Sequence, residues 1–467
     1  MPRLAAAAAG LVAAAVVMVR YLPRLVASVR RRIFLKTDTT LVVPGPSVGA
    51  EYFQEVYRHP AARQRRHGAA LSDLHFLWFG PQAGLHPENL EHGALYDELA
   101  PVTRALLSVT PEETTRLAHQ CMGTAVHEAV PRSGIHAVRL RDVIAPGWAE
   151  FFFRLLFDEP CPAEVRSLIT SYSANLFDTI KASSRPKPSL AEQLDAVVLT
   201  RLPQLRKPLR TPSLTSEEQA AYLRLVFFGS GVGQMTEATT HVCMALASDD
   251  HLQSQLAADP GNCELLGSII NETLRMYPLF GFSHRILTQD ITLSNGRRIP
   301  QGTVVCFDYP SFQRAGLPAP DTFRPGRWTS EGSPVPENFT PFGVPGARSC
   351  PARGLATSTL PVAITEIVTA LVLATSAGHP RSLANRGPCL VWPRTDPPPR
   401  HLASALRLHR AGDSGATAAL AAKQLVLTWR MVRLARLQHP CARHYASLDA
   451  LAQPGVPSSQ GRSCPRR

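Results

Sequence analysis

One cysteine of this chain stands in a loop suited to keeping a thiolate. The run is Phe342-Gly343-Val344-Pro345-Gly346-Ala347-Arg348-Ser349-Cys350-Pro351-Ala352. Arg348 lies two residues before the sulfur, and an apolar, helix-like stretch follows it. A thiolate stays ionised only near positive charge and hydrogen-bond donors. The amides of such a loop and the start of the following helix supply those donors. The fitting chemistry is ligation of a metal by sulfur. The loop alone is moderately specific, because a lone cysteine is more often a small buried hydrophobe.

Two further clusters precede it. Glu272-Thr273-Leu274-Arg275 puts a carboxylate and a guanidinium on one helix face, where they can pair. On an exposed face that pair would be worth under about 1 kcal/mol. Asp321-Thr322-Phe323-Arg324-Pro325-Gly326-Arg327-Trp328 brings a second guanidinium, Arg327, able to grip the same carboxylate as a fork.

The elements that must position these groups can be read from apolar periodicity. Leu74–Gly80 reads as a strand, and His86–Leu95 opens a helix. Residues 218–248 form a long, mostly apolar helix, and 262–277 a second. Ile291–Leu293 and Thr303–Phe307 are strand-like runs around the Asn295-Gly296 turn. The fold class expected is mostly α with small β-sheets, in one large domain over residues 37–393. Residues 396–400 are Pro-rich and read as a linker. The basic tail, 394–467, holds a helix at 416–438. Lys423, Arg430 and Arg433 lie to one side of it, with Leu420, Leu427, Met431 and Leu434 towards another. That pattern suits a membrane surface or a partner, or a plain solvated tail.

Composition narrows the function. Of 467 residues, 45 % are hydrophobic and 18 % charged, so a large core is available and global disorder is excluded. The nine cysteines are an odd number, scattered singly, which argues against a disulfide framework or a structural zinc site. The net charge is +13, but residues 1–36 carry +7 and 394–467 carry +9, leaving the body at −3. A slightly acidic body is not a nucleic-acid-binding one. Leu4–Val19 is uninterrupted apolar or small, and Arg20, Arg24, Arg30–Arg32 and Lys36 follow. Residues 1–36 therefore read as a single N-terminal membrane anchor with the body on the cytoplasmic side. A cleaved signal peptide is the rival reading.

Taken together, the Glu-x-x-Arg helix, the Phe-x-Pro-x-Arg-Trp segment and the cysteine loop resemble, in order and spacing, the cytochrome P-450 family. The resemblance spans about residues 40–393. It extends to Arg285, Asp290, Gly296, Ile299-Pro300 and Gly302, and to Trp78-Phe79-Gly80 with His86-Pro87-Glu88. It implies the P-450 fold, a haem b cofactor (iron protoporphyrin IX) and Cys350 as the axial ligand to iron. It also implies that Arg348 and Arg285 meet the haem propionates and that Phe342, covering the sulfur, and Gly346 belong to the cofactor-binding residues. Glu272, Arg275 and Arg327 would form a structural ion-pair network. His119 or Arg116 would reach a propionate. On the long helix, Gly233-Gln234-Met235-Thr236 is the best register for the family's Gly-x-acid-Thr motif, with Thr236 as the alcohol and Glu237 as the displaced acid.

The chain also departs from the pattern. Pro345 is one residue extra between Phe342 and Gly346, Ala352 replaces a glycine, and Met235 stands where an acid is usual. The function implied is a haem-thiolate monooxygenase. It would insert one atom of dioxygen into a small apolar substrate, with electrons from a separate reductase or ferredoxin. Met235 keeps open a haem-thiolate isomerase or lyase that needs neither dioxygen nor reductant. Pro345 keeps open a non-catalytic haem-binding scaffold.

Overall fold

The computed structural model describes residues 21–452, apart from 24, 31, 34–39, 63–68, 87–92, 131–132, 330–334, 347 and 377–385. Residues 1–20 and 453–467 lie outside the described residues, and with them most of the expected anchor. Among the described residues, no helix is long and apolar enough to cross a membrane.

The helices that build the site are α1 (Ala70–Phe79), α2 (Ala94–Leu107), α3 (Pro111–Ala129), α4 (Leu140–Phe157) and α5 (Ala163–Ile180). A composite helix, α6, follows. It runs as an α segment (Ser216–Leu223), a π-helical segment (Arg224–Gly231) and a second α segment (Val232–Ala247). Its start is fixed by a capping box between Thr215 and Glu218. Then come α7 (Cys263–Met276), α8 (Arg353–Ala370), α9 (Leu402–Gln438) and α10 (Pro440–Ala452).

The sheets are small, as expected. β1 (Thr40–Val43) pairs parallel with β6 (Val304–Asp308), and β3 (Phe282–Ile286) pairs antiparallel with β6. β2 (His136–Arg139) and β7 (Leu371–Ala374) flank β8 (Pro388–Pro393). β4 (Ile291–Thr292) and β5 (Arg298–Ile299) form a hairpin whose turn needs Gly296 at φ +81°.

The main core lies between α3, α4, α6, α7 and α8. Trp148, Phe151, Phe152, Phe227 and Phe228 fill it, all 2 % exposed or less. A second core, around Phe53, Phe307 and Phe312, holds the β1–β6–β3 sheet against the chain before α1.

The strand expected at Leu74–Gly80 is instead the end of α1, closed by Gly80 at φ +80°. Its apolar residues are covered on more than one side. Leu71 and Leu74 pack with Leu427 and Met431 of α9, while Phe76 packs with Cys441 and Tyr445 of α10. A short run that is apolar all round does not reveal its period, and here a helix wins. Helix α9 thus turns Leu427 and Met431 inward and leaves Lys423, Arg430 and Arg433 exposed.

Candidate functional site

Helix α8 starts three residues after Cys350, so the cysteine loop is held against a helix N-terminus. Two glycines turn the loop, Gly343 at φ +82° and Gly346 at φ +80°, and Arg348 itself sits at φ +53°. Only glycine takes such angles freely, so Arg348 marks backbone strain. The extra residue is absorbed between the glycines. Val344 is plugged into the second core at 0 % exposure, and the Cys350 amide donates to the Phe342 carbonyl at 2.8 Å. Phe342 and Cys350 are thereby held together in spite of Pro345, and both line one cavity.

That cavity encloses about 1860 Å³ of empty space, its mouth included. Its apolar wall comes from Phe152, Phe227, Met235, Ala238, Leu355 and Leu360. Cationic and polar groups interrupt it. Arg104 of α2 lines it, and so does Arg348, whose guanidinium lies 4.9 Å over the Tyr96 ring. The amide of Gln313 and the hydroxyl of Thr340 also line it, buried and without hydrogen-bond partners. A buried polar atom left unpaired costs about 1–3 kcal/mol, so these groups fit a guest that carries carboxylates. Arg285 is buried behind Tyr57, donating to its hydroxyl at 3.2 Å, and Tyr57 faces the cavity. The donor set suits a macrocycle with a thiolate on one face and carboxylates at its edge.

The Glu272 carboxylate is satisfied from several sides. Arg275 grips it through Nε and Nη2, each at 2.8 Å, and both side chains are fully buried. The backbone amide of Arg324 donates at 2.9 Å and the Trp328 indole at 3.0 Å. Arg327 Nε lies 3.5 Å away. Burial alone would raise this carboxyl. Arg275 and the other donors outweigh it and hold the group below the usual range.

On α6 the face turned to the cavity is Ser230, Gly231, Gln234, Met235 and Ala238. Thr236 and Glu237 are not on it. The Thr236 hydroxyl is buried without a partner. Glu237 is paired instead with Arg141 of α4 at 2.6 Å and with Lys181, just past α5, at 2.5 Å. If the Gly-x-acid-Thr spacing is laid on Gly231, Gly233 takes the acid's place and Gln234 the alcohol's. No side chain fits at 233, because a Cβ there would come within 1.9 Å of the Phe177 ring. His119 is also away from the cavity. Its ring is 64 % exposed and Nδ1 lies 2.6 Å from Glu366 of α8. Arg116 donates to Gln120 at 3.2 Å.

Comparison with known proteins agrees with this geometry. The family described as Cytochrome P450 matches residues 172–396. The 25-hydroxyvitamin D-1 alpha hydroxylase, mitochondrial, of Mus musculus is 40 % identical over 109 residues, which are 22 % of this chain and 21 % of that protein. The sterol 26-hydroxylase, mitochondrial, of Rattus norvegicus is 31 % identical over 136 residues, 27 % of this chain and 25 % of that one. The matched segment thus spans about a fifth to a quarter of those hydroxylases. A zebra fish cytochrome P450 solved with progesterone superposes with a TM-score of 0.60 at 16 % identity, covering 76 % of this chain and 94 % of that one. A Thermus thermophilus P450 gives 0.57 at 17 % identity, over 74 % and 90 %. The match over residues 172–396 and the fold shared with solved cytochrome P450 structures both support the cytochrome P-450 family for this chain.

Proposed function

We propose that this protein is a haem-thiolate monooxygenase that acts on an apolar, sterol-sized substrate. The observation that carries the reading is one cavity lined both by Cys350 and by the Gly231–Ala238 face of α6. Bound haem would supply the oxidising chemistry, with a thiolate ligand favouring O–O cleavage. Cys350 would hold its iron, and Arg348, Arg104, Gln313 and Thr340 would meet its carboxylates. Phe342 shields the sulfur side, and the Glu272 network stiffens the segment that carries Trp328. The apolar wall excludes water and orients the substrate. The relatives named as vitamin D and sterol hydroxylases support the substrate class.

Electrons would come from a separate reductase or ferredoxin, since the sequence has no flavin or nicotinamide fingerprint. The membrane is the expected site of action. Residues 1–36, rich in arginine and without an acid, suit either the anchor or a mitochondrial leader. The mitochondrial relatives favour the leader.

A second reading is favoured by one observation. Gly233 and Gln234 leave the cavity without the acid–alcohol pair on α6, as in an isomerase or lyase that rearranges a peroxide. Turnover without dioxygen and reductant would select it.

The decisive test is the reduced carbon monoxide difference spectrum of the haem-loaded protein. The wild type gives the thiolate band near 450 nm, expected from the family resemblance, and Cys350→Ala abolishes it. A wild type without that band removes Cys350 as ligand and leaves a haem-binding scaffold at most.

A further inference from the structure

We infer that His86 and Ser230 form the proton-delivering pair of the Cys350 cavity. The inference rests on the haem-thiolate reading and supplies what α6 lacks. His86 Nε2 lies 2.7 Å from Ser230 Oγ, and both residues line the cavity. The imidazole is 4 % exposed, and its face is held by the Phe79 ring at 4.2 Å between centroids. Ser230 is four residues before Gln234, so its hydroxyl shares the cavity face of α6 with Gln234 and Met235.

The α6 face cannot deliver protons by itself. Position 233 has no room for a carboxylate beside Phe177. The Gln234 amide donates hydrogen bonds but does not titrate. Imidazole is the side chain whose ordinary pKa lies near neutrality. Among the described residues lining the cavity, His86 is the single histidine. The other titratable or charged groups around it are Tyr96 and Arg104 of α2, Arg348 and Cys350 of the cysteine loop, and Tyr57 and Tyr309. Tyrosine and arginine ordinarily titrate above about pH 10.

The step is a proton transfer without electron change. The Ser230 hydroxyl gives its proton to a basic oxygen of the cavity's guest. It takes the Nε2 proton of the His86 imidazolium in return. One O–H bond forms on the guest, the serine O–H is restored, and the N–H bond of imidazolium breaks. The guest oxygen belongs to a dioxygen-derived group or to an organic hydroperoxide, so the pair serves either reading of the function.

The test uses the haem-loaded full chain, each variant first checked for haem content and for the carbon monoxide band. The absorption spectrum of the wild type, titrated across the neutral range, should show a one-proton transition that belongs to the imidazole. His86→Phe removes it, and Ser230→Ala displaces it. Consumption of cumene hydroperoxide falls about 10²-fold in both variants, the usual scale of positioned acid–base groups. A transition that survives in His86→Phe overturns the proposal, as does unchanged hydroperoxide consumption. If His86→Phe fails to load haem, His86→Gln and the ¹⁵N titration of His86 in Ser230→Ala decide; an imidazole pKa unmoved by the serine change counts against the pair. Loss of the 450 nm band in the wild type would instead sink the haem-thiolate reading, and the ¹⁵N titration would still report on the pair.

Discussion

Two buried carboxylates in this molecule are each flanked by two cations, and they are built in opposite ways. Glu272 is served by its own neighbourhood. Arg275 is three residues away on the same helix, and the donors Arg324 and Trp328 come from one short segment. Glu237 is served from a distance. Arg141 is 96 residues away and Lys181 is 56. Burial alone would raise both carboxyls, and their cations hold both below the usual range. The difference lies in the partners. A guanidinium does not give up its charge. Lys181 is pushed down to about 8, by burial first and by Arg141 second, against the pull of Glu237. One network is a permanent brace, and the other contains a cation that can give up its charge.

The largest expected effect tests that brace. Glu272→Ala strands the buried Arg275 charge and should cost about 3–5 kcal/mol, with little haem-loaded protein recovered. The matching change Glu237→Ala strands the buried Arg141 in the same way but lets Lys181 lose its proton, so it should cost about 3 kcal/mol, the lower end of that range. Urea midpoints read both, and equal losses would erase the distinction.

A pH test sharpens it. Both carboxyls contribute stability above their ordinary range, and that contribution is lost as pH falls through their lowered values. Lys181 works on the alkaline side. Its folded pKa of about 8 lies below the ordinary 10.5, so between these values the unfolded chain binds the extra proton and stability rises with pH. The difference in Tm between wild type and Lys181→Met, taken at about pH 7.5 and 9.5 to bracket that folded pKa, isolates this term. An identical rise in the variant would show that Lys181 is not its source.

The smallest effect is expected between the two networks, at Thr236. Its hydroxyl is buried without a partner and off the cavity face. Thr236→Val should change stability by about 0.5 kcal/mol or less, or raise it slightly, and should leave the haem spectrum untouched. Gln234→Ala, two residues earlier and facing the cavity, should move that spectrum. A spectrum that responds to Thr236 and ignores Gln234 would restore the register read from sequence.

Much of the local geometry around Glu272 and the cysteine loop was legible. Cys350, Arg348, Glu272, Arg275 and Arg327 are short-range patterns, and the structure brings each motif's residues together as their spacing implies. The share of Trp328 and of the Arg324 amide in the Glu272 network was not legible, because a hydrogen bond to an indole or a backbone amide leaves no charge pattern. The cavity face of α6 was not legible for a different reason. Residues 232–247 are almost all buried, so periodicity says nothing of which face looks into the cavity. The π-helical segment before them also shifts the phase expected of an ideal helix. Phe177 against Gly233, and Arg141 and Lys181 against Glu237, set the rotation. Gly231 followed two residues later by another glycine is the local signal the sequence holds for the other register. Leu74–Gly80 was misread for a similar reason, since α9 and α10 supply cover that no local pattern announces.

The amino-acid sequence alone determined the family resemblance, the mostly helical class and the candidate thiolate, because these depend on residue types at short, rigid spacings. Only the tertiary structure decided which residues share a cavity. It joined Ser230 to His86, turned Glu237 to Arg141, and set Gln313, Thr340 and Arg104 around the space beside Cys350. Those partners lie tens to hundreds of residues apart. Packing, which depends on volume on all sides at once, is what brings them together.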